Sequence, residues 1–126
     1  MLALTKKAEY ALVAICHLVH TPDQIVSARE IAEVHDVPLP LLMNVLKRLV
    51  GAGWVDSVRG ARGGYQLVAA PERVTLAEVL EVIDGPIQFV DCAASPANQA
   101  QNGGGCRRSD RCALRRPMVR IHKRLV

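Results

Sequence analysis

The sequence predicts a mainly α-helical protein with one small β-hairpin, built as a winged helix-turn-helix followed by a C-terminal dimerisation helix. Three observations predict it. Two short amphipathic segments, one over 28–35 and one starting at Leu39, are separated by the tight turn "HDVP". Two alternating stretches, "WVDSVR" and "YQLV", flank the glycine-bearing "GARGG". A last amphipathic stretch runs to Val126 after a segment with little apolar periodicity. At 126 residues, half of them apolar, the length suits a single folded unit. Its organisation reads as a winged helix over 1–84, a cysteine-bearing loop over 85–112 and a dimerisation helix over 113–126, the last either short or truncated.

Each element has a local reason. Leu4, Ala8, Ala11, Leu12, Ile15, Leu18 and Val19 recur at spacings of three and four, which predicts a first helix over 4–19. Cys16 follows Leu12 by four, so it is expected to pack in the core as a small hydrophobe. Pro22 in "TPDQ" breaks the helix. Ser27, with Glu30 three residues on, predicts a capping box opening a helix over 28–35. Leu42, Val45, Leu46 and Leu49 mark the next helix, which ends at "GAG" over 51–53. In the hairpin, Gly63 and Gly64 are expected to take positive backbone angles that side chains penalise. Thr75 and Glu78 predict a second capping box, for a helix with Leu76, Val79, Leu80 and Ile83 inward and "DGP" at its end. Leu114, Met118, Ile121 and Leu125 form the apolar stripe of the last helix, with Pro117 tolerated near its first turn.

Charge is unevenly placed. Residues 1–106 carry 8 basic and 11 acidic side chains, a net −3, whereas 107–126 carry 8 basic and 1 acidic, a net +7. No apolar run approaches the roughly 20 residues that cross a bilayer, and the N-terminus lacks the small-residue cleavage site of a secretory signal. These features predict a cytoplasmic protein, where clustered cysteines serve metal or redox chemistry more often than structural disulfides.

In a winged helix-turn-helix the second helix of the motif enters the major groove of double-stranded DNA. With Leu42, Val45, Leu46 and Leu49 facing the core, Pro40, Met43, Asn44, Lys47 and Arg48 face outward. The Asn44 amide suits the two major-groove atoms of adenine, and Lys47 and Arg48 suit phosphate. Arg59 and Arg62 flank the wing tip, where a guanidinium enters a narrow minor groove or clamps the backbone; Gly63, Gly64 and Tyr65 complete the wing. Winged helices also serve protein contacts, but arginines beside glycines suit a phosphate backbone better.

The remaining chemistry lies in thiols. Cys92, Cys106 and Cys112 form a soft anionic ligand set suited to an iron–sulfur cluster, zinc or copper. Zinc sites show close C-x2-4-C pairs, which are missing here, and the wide spacing suits a loop around a bulkier cluster.

"LTKKAEYAL", "SAREIAEVHDVP", "LKRLVGAGWVDSVRGARGGYQL", "TLAEVLEVIDG" and the three cysteines that follow resemble the bacterial Rrf2 family of transcription regulators, with its IscR, NsrR and RirA groups. The resemblance runs from the N-terminus to Cys112. It implies a homodimeric regulator whose promoter binding is controlled by an iron–sulfur cluster, 2Fe-2S or 4Fe-4S, sensing iron, nitric oxide or redox state. By the same resemblance Cys92, Cys106 and Cys112 are cluster ligands, and Glu9 matches an acidic position from which NsrR-like members supply a ligand to the partner subunit's cluster. IscR-like members place a histidine three residues after the last cysteine; Arg115 stands there in this chain. They also extend the last helix further, so this one implies either a shorter dimer contact or a truncated chain. The alternative is a cluster-free regulator whose cysteines oxidise. An enzyme is not expected, because no nucleophile–base pair or phosphate-cradling glycine loop occurs.

Overall fold

The computed structural model describes residues 3–87 and 111–125, which belong to two compact units separated after Pro86. The first holds helices α1 (Lys6–His20), α2 (Ala28–His35) and α3 (Leu39–Gly51), strands β1 (Val55–Val58) and β2 (Gly64–Leu67), a 3-10 turn (Pro71–Arg73) and α4 (Leu76–Asp84). The second holds α5 (Arg115–Leu125). Among the described residues, the four α-helices and the two-stranded antiparallel sheet of the first unit make the predicted winged helix-turn-helix.

The first helix begins at Lys6 because Thr5 caps it, its hydroxyl accepting the Ala8 N–H at 3.1 Å. Leu4 therefore lies outside the helix and is exposed. Ala8, Ala11, Ala14 and Leu18 are fully buried, and these small side chains leave room for α3 and α4 to pack against α1. Cys16 departs from expectation: its thiol is exposed. The buried line runs through Ala14 and Leu18, and a residue two positions from either points to the opposite side of the helix.

Ser27 caps α2 by accepting the Glu30 N–H at 3.1 Å, half of the predicted box. Thr75 and Glu78 form theirs in full, each side chain bonding the other's backbone N–H. In α4, Val79 and Ile83 are buried as predicted, but Leu76 is exposed because it occupies the first position of the helix. Leu42, Val45, Leu46 and Leu49 of α3 complete the core with Ile31, Val26 and Val55.

The hairpin pairs Val55 with Leu67, Ser57 with Tyr65 and Val58 with Gly64. Its glycines act differently from expectation. Positive φ falls at Gly60, Gly53 and Gly85, not at Gly63 or Gly64. Gly64 is required by close approach: a Cβ there would lie 2.4 Å from the Val26 carbonyl oxygen, and one at Gly63 would lie 2.2 Å from that of Val58. The approach serves an unpredicted bridge, in which Val26 N–H donates to Tyr65 O at 2.9 Å and Tyr65 N–H to Val26 O at 2.7 Å. The wing is thereby stitched to the residue preceding the α2 cap.

Gly64→Ala should destabilise the head by about 1–3 kcal/mol, the usual cost of forcing atoms into filled space. Gly51→Ala, at the open end of α3 with nothing within 4 Å, should leave stability unchanged or raise it by about 0.4–1 kcal/mol. Urea midpoints of the two variants check this. A second expectation concerns pH. Hydrogen bonds from Thr75, backbone first and hydroxyl second, hold the Glu78 carboxyl below its ordinary value of 4.5. A depressed carboxyl pKa contributes stability above that value, and the contribution is lost as pH falls through the folded-state pKa. Glu78→Gln should therefore flatten the acid limb of the stability profile below about pH 4.5, measured by denaturation at stepped pH.

Candidate nucleic-acid interface and cysteine site

The 3.6-residue period of α3 divides its side chains cleanly. Leu42, Val45, Leu46 and Leu49 are buried, and Pro40, Met43, Asn44, Lys47 and Arg48 are exposed. Pro40 sits in the first turn, where its missing N–H costs no helical bond. Met43, Asn44 and Lys47 then form one wall of an open cleft of about 450 Å³, completed by Val50, Ser57 and Tyr65. The cleft thus joins the reading face of α3 to the base of the wing. It combines an amide, an ammonium, two hydroxyls and two apolar side chains, the groups that meet base edges and thymine methyls. Sequence reasoning found Met43, Asn44, Lys47 and Tyr65 but missed Val50 and Ser57; the signal for Ser57 was its position in β1 directly opposite Tyr65. Arg59 and Arg62 are exposed on the turn of the hairpin beside Gly60, whose φ is +121°.

Arg48 is held in a way the sequence did not suggest. Its Nη1 donates to the carbonyl oxygens of Ile83 at 2.9 Å and Val82 at 3.4 Å. These carbonyls belong to the last turn of α4, where a cation complements the helix dipole and the unpaired acceptors. The same end of α4 is bound from α1: the Thr5 hydroxyl reaches both carboxylate oxygens of Asp84, at 2.7 and 2.9 Å. Arg48 therefore fixes α3 to α4 through Nη1.

Of the cysteines implied by resemblance, Cys112 is half-buried and free, three residues before the start of α5. Its carbonyl accepts the Arg115 N–H at 3.2 Å, and Arg111, Arg115 and Arg116 crowd around it in sequence. Cys92 and Cys106 lie outside the described residues. Glu9 is half-buried in the first turn of α1 and its Oε2 pairs with Lys6 Nζ at 2.7 Å. That bond, with the attraction of the carboxylate, raises the Lys6 pKa above the ordinary lysine value. Glu9 is thus occupied within its own helix, and any ligand role would exchange this exposed ion pair, which is worth little. Among the described residues no three metal-binding side chains converge on one point.

A family model described as "Iron-dependent Transcriptional regulator" matches residues 4–126, nearly the whole chain. The chain belongs to the Rrf2 family. The family and its relatives are transcription regulators, not enzymes. A putative HTH-type transcriptional regulator of Aquifex aeolicus is 36% identical over 87 residues, 69% of this Rrf2 chain and 60% of the relative. Among solved structures, CymR of B. subtilis, described as a global cysteine regulator, superposes with a TM-score of 0.66 at 24% identity, covering 99% of this chain and 87% of that one. At that identity the likeness speaks for the fold. IscR of T. potens gives 0.61 at 29% identity, covering 80% and 72%. Among the described residues, no helix of the Rrf2 chain is long and apolar enough to cross a membrane.

Replacing Arg48 by Ala should destabilise the head by about 1 kcal/mol, the ordinary net worth of such hydrogen bonds when partly exposed. Arg48→Lys should recover part of the loss, since an ammonium still complements the α4 carbonyls. Denaturant midpoints measured without DNA separate this role from any phosphate contact.

Proposed function

We propose that the protein is a homodimeric regulator that binds double-stranded promoter DNA through α3 and the wing, and that an iron–sulfur cluster held by Cys92, Cys106 and Cys112 controls that binding. The observation that carries the DNA reading is the cleft: an exposed asparagine and lysine on the second helix of a helix-turn-helix face the base of an arginine-tipped wing. In this reading Asn44 reads a base, Lys47 and the free donors of Arg48 meet phosphate, and Pro40 and Met43 line the groove. Arg59 and Arg62 clamp the flanking backbone, with Gly63, Gly64 and Tyr65 shaping the wing. Pairing of two copies rests on α5 and the turn before it, where Ile121 of the helix is 47% and Leu114, just ahead of it, 67% exposed, large apolar side chains left in water.

The donor set fits a cluster. Thiolates are the common ligands of iron–sulfur centres, and the one of these three that is described, Cys112, is free, half-buried and flanked by arginines in sequence. A bound cluster would supply a redox-active, iron-dependent anion whose charge those arginines offset. The fourth ligand is assigned to Glu9 of the other copy; its present bond to Lys6 is exposed and readily exchanged. A second reading, a cluster-free thiol sensor, draws on the same free Cys112, which is open to oxidation.

Anaerobic purification decides between them. A visible chromophore that disappears in Cys92→Ser, Cys106→Ser and Cys112→Ser, and persists in Cys16→Ser, supports the cluster. A colourless protein whose DNA affinity changes on thiol oxidation supports the alternative. On a native promoter fragment, Asn44→Ala should lose about 1–3 kcal/mol of discrimination between bases. Arg59→Ala should weaken all sequences alike and lower the salt slope by about 1. Equal affinity of the wild type for every duplex sequence would refute the assignment of Asn44.

A further inference from the structure

Away from the reading face, two histidines from different helices meet. His17 stands in the last turn of α1 and His35 closes α2. Their facing nitrogens, His17 Nδ1 and His35 Nε2, lie 3.0 Å apart, with ring planes at 85° and centroids 5.1 Å apart. Two neutral imidazoles at this distance share one proton in a hydrogen bond. The other nitrogen of His17, Nε2, is buried with no partner. That ring therefore presents one working nitrogen, and it presents it to His35.

We propose that His17 and His35 form a two-imidazole site for a divalent transition-metal ion of the nickel or copper type, joining α1 to the first helix of the helix-turn-helix. Metal–imidazole bonds run about 2.0–2.1 Å, so two nitrogens at this separation subtend about 90–95° at a shared ion. That is the angle between neighbouring positions of a square-planar or octahedral ion; a tetrahedral one would hold them about 3.4 Å apart. Binding requires each ring to turn its lone pair off the line between the nitrogens, and it replaces the shared proton with the metal. Perpendicular ring planes keep neighbouring ligands from colliding. The field also suits a cation, because the negative ends of α1 and α2 both lie at this pair. With no third metal-binding side chain converging among the described residues, water fills the remaining positions. His20, three residues beyond His17, donates from Nδ1 to the Cys16 carbonyl at 2.7 Å and so points elsewhere.

The site is independent of the cysteines, and the test keeps it so. Nickel(II) chloride is titrated into the full chain carrying serine at all four cysteines, at about pH 7.5, above the ordinary imidazole pKa of about 6.5. One ion should bind per chain. Affinity should fall at least tenfold in His17→Gln and in His35→Gln and stay unchanged in His122→Gln. Metal at 100 times its dissociation constant should favour the folded state about 100-fold, raising the thermal midpoint in the parent but not in the two variants. The imidazole nitrogen resonances of His17 and His35 in the same all-serine chain, loaded with nickel(II), give a readout that leaves both histidines in place: both should shift or broaden together. Nickel uptake unaffected by either substitution, or resonances of the pair unmoved by nickel, overturns the proposal.

Discussion

The two-way backbone bridge between Val26 and Tyr65 sets the frame of the head. On one side of it stands Ser27, the cap from which α2 grows; on the other runs β2, the inner strand of the wing. Because both peptide bonds are engaged, the start of the helix-turn-helix and the wing cannot move independently without leaving backbone groups unpaired. The bridge exists only because Gly64 has no side chain, since a Cβ there would overlap the Val26 carbonyl. One missing methyl group therefore decides how the wing stands relative to the reading helix, and with it the width of the cleft between Asn44 and Ser57.

A second set of ties holds the other end of the head. The last turn of α4 accepts Arg48 from the reading helix and, through Asp84, the hydroxyl of Thr5 from the cap of α1. Thr5 does two things with one oxygen, accepting the Ala8 N–H while donating its proton to the carboxylate. The start of α1, the last turn of α3 and the end of α4 thus form one polar knot. Chain direction gives it meaning: α4 ends at Asp84, and the segment leading to the cysteines begins directly after it. The helix end nearest the proposed sensing residues in sequence is the one bonded to the reading helix.

What could be read from the sequence follows the range of the interaction. The Thr75–Glu78 box and the Ser27 cap are local patterns, three residues across, and both are present. The inward and outward faces of α3 follow from its period alone, which is why Asn44 and Lys47 were legible as outward-facing candidates. The bond from Arg48 to Ile83 spans 35 positions and has no local signature. For the same reason the glycines of the wing were assigned the wrong cause: a local reading knows turns, whereas Gly64 answers to Val26, far back in the chain. Cys16 shows the limit of periodicity on α1, where the fully buried line runs through alanines and a spacing of four from half-buried Leu12 leads out to solvent. The cysteine assignment came from resemblance, and two of its three residues lie outside the described ones.

Charge constrains the reading mechanism further. Residues 1–86 carry 8 basic and 10 acidic side chains, a net −2, so the head as a whole repels a polyanion. Attraction must come from where the bases sit. Helix α3 contains no acidic residue, and Lys47, Arg59 and Arg62 are exposed along one helix and the wing that faces it. With one nitrogen of Arg48 spent on α4, the face made by α3 and the wing offers three unencumbered cations, Lys47, Arg59 and Arg62, and the two copies of the proposed dimer offer six. Counterion release scales with the number of phosphates neutralised, so so few contacts per head, set against a net negative body, give weak purchase on arbitrary duplex. In the proposed dimer, useful affinity would depend on both heads engaging at once and on the direct contacts proposed for the Asn44 cleft, which would place the control of binding in whatever sets the geometry of the pair.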